Sequence, residues 1–511
     1  MHALVGETRI HLKSFGHYKN FISLFLITAG SMVIAGYHPG VEDDAVYLSA
    51  IQRRLEPGLY PHDARFFTLQ MQASVFDRLM AVLVRVTHLP VPVMELAVQC
   101  LTAFFFLWGC LAIARRCFQS EAARWAAVAL VGVLFTMPVA GTALFIFDPY
   151  LHPRAIATAL VLAAILAVLD RRPVLVSVLM AAAVVMHPIM GVLGASYCAI
   201  LWFAGCAWFS GSGGMRASRP RQSSVMAAAA FGVAPAWIFE GPSAAWMKAL
   251  DTRNYYFLGR WTWYEWLGAI GPILILWAIA RYARRRDRPA MASLAGCGAV
   301  FAVFQLAVAC VVLLTPALIR LMPMQPMRYL HLVYILMAIL GGGLIGEHLL
   351  RRSLWRWMVL FLPLTAGMYV AQRSLFPGTR NLELPGLALR NPWLEAFAWV
   401  RGNTPVDAYF ALDPYYMQLR DEDYHSFRAL AERSELADAV KDAAVATQVP
   451  ELAPVWLRQT EAAEGWQHFQ KQDFLRLQRE FGVNWIVVER PGVAGLDCPY
   501  KNQAVAVCKL D

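Results

Sequence analysis

Three adjacent carboxylates, Glu42, Asp43 and Asp44, follow the first long apolar stretch of the chain. Side by side they repel one another and need a cation, a hydrogen-bond donor or water. A divalent cation or a general base acting at a substrate's phosphate uses such groups. The dipole of a helix also favours acids in its first turn, which explains one or two of the three. A second set is Asp148-Pro149-Tyr150-Leu151-His152-Pro153-Arg154. Pro153 suits the first position of a helix, and Asp148 suits a cap at Pro149. Capping does not account for an imidazole and a guanidinium entering an apolar helix, where each is costly unless paired. Metal binding, phosphate binding and a simple Arg154–Asp148 pair are the alternatives. His187-Pro188 ends another apolar stretch, and Gln325-Pro326-Met327-Arg328 opens a later one. Arg328 either holds a phosphate through charge-assisted hydrogen bonds or snorkels to head groups. His62-Asp63, close to Arg65, is either a local loop pair or a substrate contact. No P-loop, GxSxG or HExxH motif is present.

The elements that must position these groups are apolar. Hydrophobic residues make up 58% of the 511 positions and charged ones only 16%, which exceeds globular usage and indicates a polytopic membrane protein. About eleven spans of membrane length are expected: 20–36, 91–114, 122–140, 154–169, 173–187, 189–209, 224–240, 264–282, 291–315, 328–347 and 354–372. Arginine clusters recur at alternate ends: Arg115-Arg116, Arg171-Arg172, Arg216 to Arg221, Arg281 to Arg288, and Arg351-Arg352 with Arg356. The positive-inside rule places these in the cytoplasm together with the N-terminus. The acidic and histidine sets then fall on the opposite side, as does the tail. The net charge of +10 is thereby explained without nucleic acid, since no basic patch is interleaved with stacking aromatics. The stretch 21–36 is expected to be a retained helix, because no small-residue cleavage site comes before the acidic segment.

The long loop 37–90 carries two helical patterns. One begins near Asp43, and the other, Val75 to Val86, is amphipathic and suited to a membrane surface. A second loop, 241–266, is rich in Tyr and Trp, as either an interfacial belt or a platform for sugar rings or a polyprenyl chain. Residues 1–373 form the membrane domain. The tail, 374–511, has ordinary polar composition and is expected to be a small α/β domain, with strands at 408–412 and 485–488 and helices at 422–440 and 467–481. Cys498 and Cys508 stand apart from the cysteines of the apolar helices. They are either a disulfide of an extracytoplasmic domain or two separate thiols.

The layout resembles the GT-C superfamily of integral-membrane glycosyltransferases. More closely, His38-Pro39-Gly40-Val41-Glu42-Asp43-Asp44, Leu59-Tyr60-Pro61-His62-Asp63, His152-Pro153-Arg154, His187-Pro188 and Gln325-Pro326-Met327-Arg328 resemble an uncharacterised bacterial multi-pass membrane-protein family of that type. In the tail, Asn403 to Ala408, Phe427-Arg428 through Ser434, and Lys441-Asp442 fit the same family. The resemblance implies a bacterial inner-membrane enzyme with a polyprenyl-phosphate-linked sugar donor, an acceptor at the outer face and a periplasmic C-terminal domain. Asp43 or Asp44 would be the base or a metal ligand, with Glu42 beside them. Asp148 and His152 would complete the base or cation set, and Arg154 or Arg328 would face the donor phosphate. Asp44, Asp148 and His152 are the implied ligands where Mg²⁺ or Mn²⁺ is used, and some members of the superfamily use no metal. His62, Asp63, His187 and Gln325 are further candidates for substrate contact. The alternatives are a transporter or flippase for a lipid-linked or anionic substrate, and a non-catalytic envelope assembly subunit.

Overall fold

The computed structural model describes residues 2–211 and 241–510. The expected span 224–240 and the Arg216 to Arg221 cluster lie outside the described residues. The first half of the membrane domain runs α1 (His2–Ala35), α2 (Asp44–Leu55), α3 (Arg65–Met71), α4 (Phe76–Thr87), α5 (Val91–Cys117) and α6 (Glu121–Val133). A two-stranded hairpin, β1 (Pro138–Val139) with β2 (Leu144–Phe145), follows. Then come α7 (Pro153–Leu169), α8 (Pro173–Met186), α9 (Pro188–Gly211), α10 (Ala244–Asp251), α11 (Trp263–Arg285), α12 (Pro289–Leu314), α13 (Tyr329–Ile345) and α14 (Leu354–Leu375). Among the described residues six helices are long and apolar enough to cross a membrane: those at Val91–Cys117, Pro188–Gly205, Trp263–Arg285, Pro289–Leu314, Pro326–Leu350 and Leu354–Leu375. Lys19–Ala35, α7 and α8 are apolar but shorter.

The expected span 122–140 is cut short. Its helix ends at Val133 after 13 residues, because Pro138 cannot continue a helical ladder and Gly141, at φ +64°, turns the chain into the hairpin. A Cβ on Gly141 would lie 2.0 Å from the Trp261 ring, so that close packing needs glycine. Helix α13 is the central element, with 78% of its apolar window buried against α6, α11 and α12. Helix α7 packs between α5, α8 and α9.

The arginine clusters do gather at one end. Arg116 pairs with Asp170 at 2.6 Å, joining the ends of α5 and α7. Arg288 pairs with Glu347 at 2.5 Å, joining the α11–α12 turn to the end of α13. The starts of α5, α7, α9 and α13, and hence the candidate site, belong to the opposite end.

The tail contains α15 (Pro392–Asn403), β3 (Tyr409–Ala411), α16 (Phe427–Ala431), β4 (Ser434–Glu435), α17 (Lys441–Gln448), α18 (Ala453–Ala462), α19 (Lys471–Phe481), β5 (Trp485–Glu489), β6 (Asp497–Lys501) and β7 (Val505–Lys509). Its sheet has the order β4-β3-β5-β7-β6, parallel from β4 to β5 and antiparallel beyond. Trp485 and Val487 face one apolar core with Phe397 and Phe427. Ile486 and Val488 face a second with Phe474 and Leu477. That period-two alternation, apolar on both faces, is what a strand covered on both sides requires. The expected helix 422–440 is instead the short α16, the strand β4 and a loop. Positive φ at Asp423, Tyr424 and Glu432 interrupts it. Cys498 and Cys508 lie on neighbouring strands β6 and β7 and form a disulfide.

Helices α17 and α18 leave the sheet domain. Ala443, Val445, Ala446, Leu452 and Trp456 belong to the apolar core of the membrane domain. Arg428 ties the two parts together. It contacts Asp63 at 2.6 Å and Asp442 at 2.9 Å, with every partner buried. His62 stacks on Tyr409 with 4.5 Å between ring centroids. Asp63 and His62 are therefore interdomain ties rather than cavity groups, which corrects the expected substrate contact. Removing one partner of a buried ion pair strands its charge, at a cost of about 3–5 kcal/mol. Arg428→Met should therefore lower the thermal midpoint of the detergent-solubilised chain by several degrees or prevent accumulation. An unchanged midpoint would show that Arg428 does not tie the parts together.

Candidate active site

The chain leaves α1 through Gly36 and Gly40, both at φ +78°, where a side chain is strained. A Cβ on Gly36 would also lie 2.9 Å from the Asn381 carbonyl. The segment between them is held from both sides. Tyr37 N–H donates to Asn381 O at 2.9 Å, and Ser426 N–H donates to Gly40 O at 2.9 Å. His38 N–H reaches Pro149 O at 2.7 Å, fastening this loop to the one that carries Asp148. Glu42 takes a left-handed φ of 53°, uncommon for a side-chain-bearing residue, and its N–H donates to Tyr424 O at 3.1 Å. That turn separates the fates of the three carboxylates.

Asp44 turns inward. Its Oδ2 accepts from Gly40 N–H at 2.7 Å, and the residue is almost wholly buried. Burial pushes its carboxyl up to about 7, aided by the Asp43 charge and opposed by the Gly40 hydrogen bond. It does not line the cavity, which corrects its expected catalytic role. Glu42 and Asp43 turn the other way, into a cavity of about 890 Å³ also lined by Asp148, His152, His187, Gln325 and Arg328. The Asp43 side chain is 37% exposed, and that exposed part faces the cavity. Its carboxylate lies 3.2 Å from Lys441 Nζ, 3.5 Å from His152 Nε2 and 4.0 Å from Arg154 Nη1. Burial would raise the Asp43 carboxyl, but Lys441, His152 and Arg154 together hold it well below the ordinary range. Glu42 pairs with the same Lys441 ammonium.

Two histidines sit at helix starts. His152 precedes Pro153, and its Nδ1 accepts from Arg154 N–H at 2.9 Å, so His152 caps α7. Asp148 is the partner of Arg154, with Oδ2 2.7 Å from Nη2, which is the simple pair among the alternatives. His187 precedes Pro188, and its Nδ1 accepts from Met190 N–H at 3.4 Å. With Nδ1 an acceptor, the His152 proton belongs on Nε2, directed at Asp43. The two imidazoles are 5.8 Å apart.

Arg328 is buried, and among the described residues no carboxylate lies within ion-pair distance of it. Its Nε donates to Gln325 Oε1, while Gln325 Nε2 donates to Tyr256 Oη at 3.0 Å. Gln325 thus anchors Arg328 to the aromatic loop. Arg253 from that loop also lines the cavity, and its buried Nε has no hydrogen-bond partner. Four cations, Arg253, Arg328 and Lys441 in the lining and Arg154 just behind it, therefore stand with four carboxylates, Glu42, Asp43, Asp148 and Glu265. With both histidines neutral the charges balance, and Arg253 and Arg328, which have no carboxylate partner among the described residues, are guanidiniums that suit a phosphate.

The residue types do not fit the implied metal set. Asp44 is directed at Gly40, Asp148 is held by Arg154, and His152 uses one nitrogen as a cap. Among the described residues no group of three or more His, Cys, Asp or Glu is arranged to hold a metal ion. Sequence reading also missed cavity groups: Lys441, Arg253, Glu265, Tyr424 and Gln448. Lys441 lies 399 positions from Glu42, so no spacing rule reaches it. The aromatic loop divides. Tyr255 and Tyr264 line the cavity, while Trp263, 76% exposed, fits the interfacial belt.

Burial pushes the His152 imidazole from 6.5 down to about 4, reinforced by Arg154 and opposed by Asp43 and Asp148. Between those values the unfolded chain binds a proton that the folded chain does not, so stability falls as pH drops through that window. The loss from this group reaches about 3 kcal/mol. His152→Gln should flatten the acid limb of a thermal-midpoint profile taken from pH 7 to about pH 4; parallel wild-type and variant profiles would refute the assignment. The chain matches no protein-family model and no curated protein sequence, so the geometry of this cavity carries the functional reading.

Proposed function

We propose that the chain is a GT-C-type membrane glycosyltransferase, moving a glycosyl unit from a polyprenyl-phosphate-linked donor to an acceptor at the outer face of a bacterial inner membrane. The observation that carries this reading is one cavity holding an ionised carboxylate, Asp43, together with Arg328, a buried guanidinium lacking a carboxylate partner. A carboxylate that receives a proton and a cation that receives a leaving phosphate are the two halves of glycosyl transfer. The apolar wall of Met71, Met186, Ile189 and Met324 suits the isoprenoid end of such a donor. The arginine clusters at the far end of the bundle support placing the cavity on the outer side.

In the proposed step the acceptor oxygen forms a bond to the anomeric carbon as the bond from that carbon to the phosphate oxygen breaks. The phosphate keeps the electron pair and is held by Arg328 and Arg253. The acceptor's proton passes to Asp43. A carboxylate held far below its ordinary pKa is a weak base toward a resting hydroxyl. It suffices when the hydroxyl is already bonding to carbon and its proton has become acidic. His152 Nε2–H and Lys441 Nζ orient Asp43 and hold its charge. No step is routed through a metal.

The test is release of polyprenyl phosphate from polyprenyl-phosphate hexoses by the full chain in vesicles, which reads transfer whatever the acceptor. Asp43→Asn should reduce release by about 10²–10⁴-fold. Arg328→Gln should reduce it by about 10²-fold, with Arg328→Lys recovering only part because a point charge replaces a bidentate fork. Asp44→Asn, away from the cavity, should retain most activity. Exchange of intact donor across the vesicle membrane without cleavage would instead identify a transporter and reject the transferase.

A further inference from the structure

A second cavity, of about 500 Å³, lies between α2 and α4. It shares no lining residue with the first. Its charged lining is Arg53, Arg54, Arg78 and Arg85, against the single carboxylate of Asp77. Asp77 is taken by Arg54, which leaves three guanidiniums without a carboxylate among the described residues. Arg53 and Arg54 occupy the last turn of α2, where the helix dipole favours cations. That accounts for their presence, and for Arg85 in the last turn of α4, but not for Arg78. Arg78 and Arg85 are seven residues apart on α4 and so share one face, with Ala81 between them lining the cavity floor. Like charges gathered around an open space raise the free energy of the empty protein unless an anion fills it.

The position of the cavity says what kind of anion. Helix α4 ends at Thr87, and the membrane-length helix α5 begins at Val91, which puts Arg85 beside the start of a span. Leu79, Val82 and Val86 recur at helical spacing on α4 and are 40%, 52% and 72% exposed. Val82 belongs both to this apolar stripe and to the lining of the basic cavity. A ligand that fills the cavity with a phosphate and continues over Val82 with hydrocarbon satisfies both surfaces at once. We infer that the α2–α4 cavity is a binding site for the phosphate head group of an anionic phospholipid whose chains lie along α4. Arg78, exposed and without an ion pair among the described residues, supplies an adaptable donor at the rim. Arg85 supplies a fixed one, since its Nη2 already donates to Arg54 O at 2.6 Å. The site is independent of the transfer chemistry and stands or falls without it.

The test uses the full chain in phosphatidylcholine vesicles containing about one-fifth phosphatidylglycerol, with spin-labelled lipid reporting the motionally restricted fraction. The wild type should hold phosphatidylglycerol in preference to phosphatidylcholine. Arg78→Gln should reduce that preference about fivefold, and the Arg78→Gln/Arg85→Gln double variant about twenty-five-fold, the factor expected per basic side chain at an anionic surface. Lysine at both positions should restore most of it. Because Arg78 makes no hydrogen bond or ion pair among the described residues, its single variant reads binding without disturbing the fold. Equal preference in the wild type and the double variant would overturn the site. Full displacement of the restricted phosphatidylglycerol by millimolar glycerol 3-phosphate or inorganic phosphate would assign the cavity to a water-soluble phosphate instead, and so would overturn the lipid assignment.

Discussion

Lys441 is the charge on which the cavity depends. Glu42 and Asp43 come from a loop that leaves α1, and neither has another fully charged partner as close. Two carboxylates this near each other on one cavity wall need a cation, and the tail provides it. The position is unfavourable for a lysine taken alone. Lys441 opens α17, and a cation at a helix N-terminus opposes the dipole. Burial also disfavours its ammonium, yet Glu42 and Asp43 hold it above the ordinary lysine range. The local cost is offset only across the interface. Asp438 accepts from Val440 N–H at 2.7 Å, which holds the start of α17 in place. The membrane domain alone would present an acidic loop; joined to the tail, it presents a balanced site.

The other side of the cavity is built by a repeated device. At both His152 and His187 a histidine stands immediately before a proline that opens a helix. Proline has no N–H to satisfy, and the imidazole Nδ1 accepts a first-turn backbone donor instead, Arg154 N–H at His152 and Met190 N–H at His187. The cap fixes the ring, and the ring's far nitrogen is then free to face the cavity. A serine would cap as well, but it projects no second functional atom from the same fixed position. The capping role and the candidate chemical role are thus two edges of one side chain. This is why a helix start buried in apolar surroundings carries histidine here.

Much of this was legible in the sequence, and the parts that were not have physical reasons. Among the described residues six of the eleven expected spans coincide with helices long and apolar enough to cross a membrane, because twenty consecutive apolar residues allow few other structures, and 20–36, 154–169 and 173–187 coincide with shorter apolar helices. Stretch 122–140 misled because Val139 and Leu144 are buried in a hairpin rather than a helix, and apolar content alone does not distinguish the two. Glu42, Asp43, Asp148, His152, His187, Gln325 and Arg328 do meet in one cavity, since ionisable groups at one end of an apolar bundle have few other places to go. Asp44 could not be separated from Asp43 without knowing the positive φ at Glu42, which turns consecutive side chains apart. His62-Asp63 misled because a buried interdomain tie and a ligand contact use the same residue types. Only the position of Arg428, 365 residues away, tells them apart.

The charge pattern also bears on how the proposed transfer proceeds. A site built for abstracting a proton from a resting hydroxyl would hold its base near neutral pH, as burial does for Asp44. Asp43 is held low instead, by Lys441, His152 and Arg154. Such a carboxylate stabilises positive charge developing at a neighbouring sugar carbon more effectively than it pulls a proton. In the proposed step Arg328 and Arg253 have the complementary task, since guanidiniums with no carboxylate partner among the described residues favour a phosphate whose charge grows as its bond to the sugar breaks. In the proposed transfer both halves of the cavity therefore act on charge that exists fully only in the transition state. On this reasoning bond breaking to phosphate leads and proton transfer follows, with Asp43 receiving the proton only after the acceptor oxygen has begun to carry positive charge.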